Sequence, residues 1–142
     1  MLLYSVLKDK NMTPVIFQVV NQINHGINSL IPANMRVEIS ELNSTAGSKA
    51  LELADFETAH TYLTIAISLL PNNHWTALYK FSLRLYFLAA KSAYSVGKRK
   101  RACNLLKDIL EKGRSTKDKL DAYSYYITVS NIVCRRSINC SI

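Results

Sequence analysis

The stretch Ser40–Asn73, SELNSTAGSKALELADFETAHTYLTIAISLLPNN, is 34 residues long, and its reading decides how the chain folds. Two apolar patterns of helical period run through it and meet at Asp55-Phe56. Gly47, Ala59 and Ala66 fall where the two helices of a hairpin must approach closely. A bulky side chain at those places would hold the axes beyond the usual ~8–10 Å separation. Phe56, Tyr62 and Leu63 supply the larger knobs. Pro71 stops the second helix, because proline cannot continue the i to i−4 ladder, and Asn72-Asn73 make the turn. The stretch therefore reads as a helix–turn–helix hairpin that stacks on others of its kind.

Gly47, Ala59 and Ala66 occupy the eighth, twentieth and twenty-seventh places of this unit, and in that pattern it resembles a tetratricopeptide repeat. Asn43 stands at the fourth place, where a large residue is usual, so the unit is a divergent one. The resemblance implies an all-α fold of stacked helical hairpins, a tetratricopeptide-like α-solenoid. The expected domain is 13–133, with hairpins at about 40–73 and 75–113 and half-units at 13–31 and 117–133. A frayed lead-in is expected at 1–12 and a frayed polar tail at 134–142.

The flanking sequence extends the pattern. Thr13 can cap a helix with Pro14 in its first turn. Ile16, Val20, Ile23 and Ile27 then share a face, and Pro32 lies beyond the end. Met35–Leu53 and Phe56–Leu70 form the central hairpin, with Phe56, Ala59, Leu63, Ala66 and Leu70 as the inner stripe of its second helix. One long helix is expected over Trp75–Val96, ended by Gly97. Ala102, Leu105, Leu106, Ile109 and Leu110 form the next buried stripe, ending at Gly113. Ser115 can cap a last helix in which Leu120, Tyr123 and Ile127 share a face.

At 142 residues the chain is one domain's worth. A hydrophobic content of 49% with three prolines and four glycines argues for an ordered helical protein. Met1–Leu7 is apolar but too short for a signal peptide or membrane span, and Pro14–Met35 is rich in Asn and Gln. A cytoplasmic protein is expected, with the nucleus as the alternative. Cys103, Cys134 and Cys140 are an odd count without a pairing pattern, which favours reduced thiols. The formal charge of +8 is unevenly spread, because Lys80–Lys119 holds twelve Lys or Arg against three acidic residues. The second half is thus a basic surface on a nearly neutral scaffold.

A narrower resemblance rests on a series of short words. These are Gln22-Ile23-Asn24-His25-Gly26, Leu42-Asn43 with Ala46-Gly47 and Lys49-Ala50, Tyr62-Leu63, Leu69-Leu70, Trp75 with Tyr79, and Asp118-Lys119 with Tyr123 and Ile127. In this order they resemble the helical region of large multidomain signalling ATPases. There an AAA/STAND-type NTPase is followed by tetratricopeptide-like helices, alongside kinase, GAF, histidine kinase or cyclase modules in various members. The sequence contains no G-x-x-x-x-G-K-[ST], H-R-D, D-F-G or G-x-G-x-x-G. The resemblance therefore implies a scaffold or sensor-linker without the catalytic modules. The turn that the pattern wants near Cys134 is lost, which reads as a truncated copy or a fragment.

No catalytic, cofactor or metal site is expected. His25, His60 and His74 stand in no metal-binding spacing, and His60 beside Ala59 is expected to face solvent. Cys103 lies near Lys100 and Arg101, which would favour its thiolate, yet its place beside the inner stripe fits an inert thiol. The tyrosines at 79, 86, 94, 123, 125 and 126 read as packing residues rather than base-stacking ones.

The expected function is protein–protein interaction or intramolecular coupling with neighbouring domains of a longer chain. Asn43, Ser44, Lys80 and Arg84 are the candidate groove residues, as exposed positions on first helices. The run Lys98-Arg99-Lys100-Arg101 is the alternative, a contact for nucleic acid or another polyanion, or for an acidic protein surface. Its cations open a helix, where they oppose the macrodipole at roughly 0.3–1 kcal/mol each, a mismatch that favours a partner over mere solubility. Uncapped repeat ends at 16–27 and 123–133 are expected to expose apolar surface and promote self-association.

Overall fold

The computed structural model describes residues 13–27 and 31–139. The lead-in expected at 1–12 and the last residues of the tail, 140–142, lie outside them. Among the described residues there are seven helices and no strand. The chain divides after Asn72 into two compact units.

The first unit holds α1 (Thr13–His25), α2 (Ala33–Glu52) and α3 (Phe56–Ser68). The α2–α3 hairpin closes as its small residues require. A Cβ placed on Gly47 would lie 2.6 Å from Leu63 Cγ, so glycine sets the approach of the two helices. Ala46, Ala50, Ala59 and Ala66 are fully buried along the same contact.

One tight turn ends α2 and starts α3. Ala54 adopts a left-handed φ of 58°, and the Asp55 and Ala54 amides donate back to Ala50 O (2.9 Å) and Leu51 O (3.1 Å). This is the pair of bonds that satisfies a helix's last carbonyls. The Asp55 side chain then accepts from the Thr58 amide at 3.3 Å and caps α3. Phe56 was expected on the inner stripe but is 40% exposed, because it opens the helix at this outward turn. Leu70 falls beyond the end of α3, and Leu69 is buried in its place.

On the other side α1 brings Ile16 and Val20 into one cluster with Leu42, Ala46 and Tyr62. The apolar face expected to stay open over 16–27 is therefore largely covered within the unit. Polar bonds align the three helices. Asn24 and Asn43 exchange amide hydrogen bonds of 2.8 and 2.9 Å. Tyr62 Oη donates to Asn21 Oδ1 at 2.8 Å, and its ring stacks on Phe17. Ser40 Oγ donates to Ala66 O at 2.7 Å.

The second unit holds α4 (His74–Ala77), α5 (Tyr79–Ser95), α6 (Arg99–Lys112) and α7 (Thr116–Asn139). The single helix expected over 75–96 is broken at Leu78, whose backbone (φ −126°, ψ 42°) leaves the helical region. Buried Ser82 holds the break: its Oγ donates to His74 O at 3.1 Å and contacts His74 Nδ1 at 2.8 Å. The hydroxyl has one proton for these two contacts, so the donor in the Ser82–His74 ring bond follows the imidazole tautomer. His74 also stacks on Tyr86 and lies against Trp75, so an aromatic cluster fills the corner.

Gly97 ends α5 with φ 81°, and the amides of Gly97 and Lys98 return to Tyr94 O and Ala93 O. Ala102, Leu105, Leu106 and Ile109 are buried, while Leu110 is half-buried. Ser115 Oγ accepts from the Asp118 amide at 3.1 Å and caps α7. On α7, Ala122 and Val129 face inward, whereas Leu120, Tyr123 and Ile127 form an exposed apolar stripe. The helix runs on to Asn139, past the point where its apolar pattern fails.

Candidate functional site

The second unit contains a groove of about 400 Å³ between α5 and α7. From α5 come Tyr79, Lys80, Leu83, Arg84 and Phe87, whose steps alternate between one and three residues and so keep them on one helical stripe. From α7 come Lys117, Asp118, Asp121 and Ala122, and Ile109 of α6 lies beneath. The floor is apolar and the rim is charged.

A polar knot fixes the mouth of the groove. Tyr79 Oη donates to Asp118 Oδ2 at 2.8 Å and accepts from the Arg114 amide at 2.7 Å. The Arg114 guanidinium lies over the Tyr79 ring at 4.2 Å and donates to Trp75 O at 3.3 Å. The Tyr79 hydroxyl bond, followed by those of Ser115, holds the Asp118 carboxyl below the usual carboxylate range. Asp118 is thus a structural anion, committed to its own unit.

The remaining rim is electropositive. Lys80, Arg84 and Lys117 are exposed, and none forms an ion pair among the described residues. Asp121 is the carboxylate that remains available. Phe87 is braced from behind by Tyr125, edge to face at 5.9 Å, and the Lys91 ammonium sits 4.6 Å from its ring centre. Burial, with the Tyr94 hydroxyl nearby, pushes the Tyr125 phenol up.

The structure brings Lys80 and Arg84 together in this groove, and it removes Asn43 and Ser44 from any exposed wall. Asn43 is wholly buried and Ser44 nearly so. The reason lies in the first unit: Asn43 is enclosed there and its amide donates to Asn24 Oδ1 and to Ile39 O. His60, expected at the surface, is likewise buried. Of the basic run, Lys98, Lys100 and Arg101 are exposed and Arg99 is half-buried; its Nε is covered and has no hydrogen-bond partner. The run lies outside the groove.

Sequence reasoning missed Lys117, Asp118 and Asp121. Their signal was present in the register, since α5 and α7 are alternate helices that bracket α6 and can face one another across it.

A comparison with curated proteins finds a distant likeness to the hybrid signal transduction histidine kinase G of Dictyostelium discoideum. The two are 28% identical over 108 residues, which is 70% of this chain and 3% of that protein. The chain thus spans a small fraction of the length of the relative it matches. No family model matches the sequence. No solved structure matches it either. Among the described residues, no helix is long and apolar enough to cross a membrane.

Proposed function

We propose that this chain is a non-catalytic interaction module, made of tetratricopeptide-like helical hairpins, that binds a protein segment or couples neighbouring domains in a signalling assembly. The observation that carries the reading is the α5–α7 groove, an apolar trough with a charged rim whose two walls are tied together by the Tyr79–Asp118–Arg114 knot. Concave sites of this size, with apolar floors and a few placed polar groups, are the usual form of a ligand site. The small residues of Ser40–Asn73 and the distant likeness to a signalling histidine kinase support the module's class and context. A cytoplasmic setting fits that context.

The test is to titrate the whole chain against an array of short peptides of mixed composition, alongside Leu83→Arg, which fills the groove from its half-buried wall. Binding that is lost in the variant while its helical signal persists supports the reading. Binding that persists undiminished places the contact elsewhere.

A second reading is favoured by the first turn of α6, where Arg99, Lys100 and Arg101 stand with no acidic residue. As a contact for nucleic acid, that turn would give an affinity that falls steeply with salt and is lost on neutralising Lys98–Arg101.

A further inference from the structure

We infer that the groove's ligand is an acidic peptide segment carrying one apolar or aromatic side chain; this rests on the interaction reading above and specifies its partner. The volume of about 400 Å³ admits a few side chains rather than the face of a folded domain. Leu83, Phe87 and Ala122 give an apolar seat for one of them. Around that seat stand Lys80 and Arg84, exposed and without ion-pair partners among the described residues, with exposed Lys117 on α7, whose charge also favours the Asp118 carboxylate. Such cations are complementary to carboxylates and cost little to desolvate partly at a rim.

Two observations favour a peptide over nucleic acid at this place. Asp121 stands on the same rim and would repel a continuous phosphate backbone, whereas a peptide can present carboxylates only where cations meet them. The Tyr79 ring, which could otherwise stack on a base, is also covered by the Arg114 guanidinium at 4.2 Å.

The experiment uses the full chain and a fluorescein-labelled hexapeptide, Glu-Asp-Leu-Phe-Glu-Glu, read by anisotropy at physiological salt. Versions with the acidic positions changed to serine or to lysine, and a hexaglutamate, serve as controls. The acidic peptide is expected to bind at least ~10-fold more tightly than each control, a difference of about 1.4 kcal/mol. The pair Lys80→Glu with Arg84→Glu should weaken it by a similar factor. The pair Lys100→Glu with Arg101→Glu, outside the groove, should change it by no more than about 2-fold. Equal binding of hexaglutamate, equal loss in both charge-reversed pairs, or displacement by oligothymidylate would show a general polyanion surface and overturn the proposal. Tighter binding of the serine or lysine version, abolished by Leu83→Arg, would overturn the acidic preference but leave the interaction reading standing. If no peptide of the set binds, the proposal fails and the interaction reading loses its carrying observation.

Discussion

Three residues show how single side chains set this fold. Gly47 has Leu63 where its Cβ would be, so Gly47→Ala forces overpacking that outweighs the better helix propensity of alanine. The expected cost is about 1–3 kcal/mol by urea denaturation. Leu63→Ala alone should cost about 2–5 kcal/mol. The double variant should lose less than the sum, because the new methyl enters the space that leucine leaves. Ala54 is the reverse case, a side chain held at φ 58° where glycine is at ease. Ala54→Gly is expected to stabilise by roughly 0.5–1 kcal/mol, and a lower melting temperature would contradict the turn geometry. Asn43 is buried and reciprocally bonded to Asn24. Asn43→Ala should therefore lower stability by about 1–3 kcal/mol and leave peptide binding unchanged.

At the scale of elements, the α4–α5 corner is a source of pH dependence. Desolvation lowers the His74 pKa, and the nearby Asp108 charge offsets it only in part. The folded corner thus binds a proton more weakly than the unfolded chain does. Its contribution is full above the unfolded histidine value of ~6.5 and is lost as pH falls below that value and through the lowered folded one. Asp108 works with the opposite sign, since burial raises its pKa and the folded state gains as it protonates at lower pH. His74→Gln removes the first effect and, with it, the His74 charge that partly offsets the rise at Asp108. The stability gap between wild type and His74→Gln should be wider at pH 8 than at pH 5.5, and a gap independent of pH would contradict the assignment. At the start of α6, the cations of the first turn oppose the helix dipole. Exposed Lys100→Glu should stabilise the chain by about 0.3–1 kcal/mol, measured by thermal melting.

The elements also show what was legible in the sequence. Turns announced by Asp55, Gly97 and Ser115 were readable because each residue performs its turn chemistry locally. The hairpin around Gly47 was readable because its small residues recur at helical spacing. The break at Leu78 was not, since it depends on Ser82 reaching back to His74 across a turn of otherwise helical sequence. Nor was the burial of Asn43, which looks like a surface residue until Asn24 arrives from another helix.

For the molecule as a whole, the sequence pointed to a helical chain, and it offered Lys80 and Arg84 as exposed positions, which they are. The groove itself needed the third partner, α7, whose Lys117 and Asp121 are ordinary solvent-facing residues when read along the chain. The proposal places interaction in this groove and not at the basic run of α6. Amide hydrogen exchange of the full chain, with and without saturating acidic hexapeptide, distinguishes the two. Slowed exchange concentrated at 79–87 and 116–122 is expected. Protection centred on 98–102, or none in either helix that walls the groove, would contradict it.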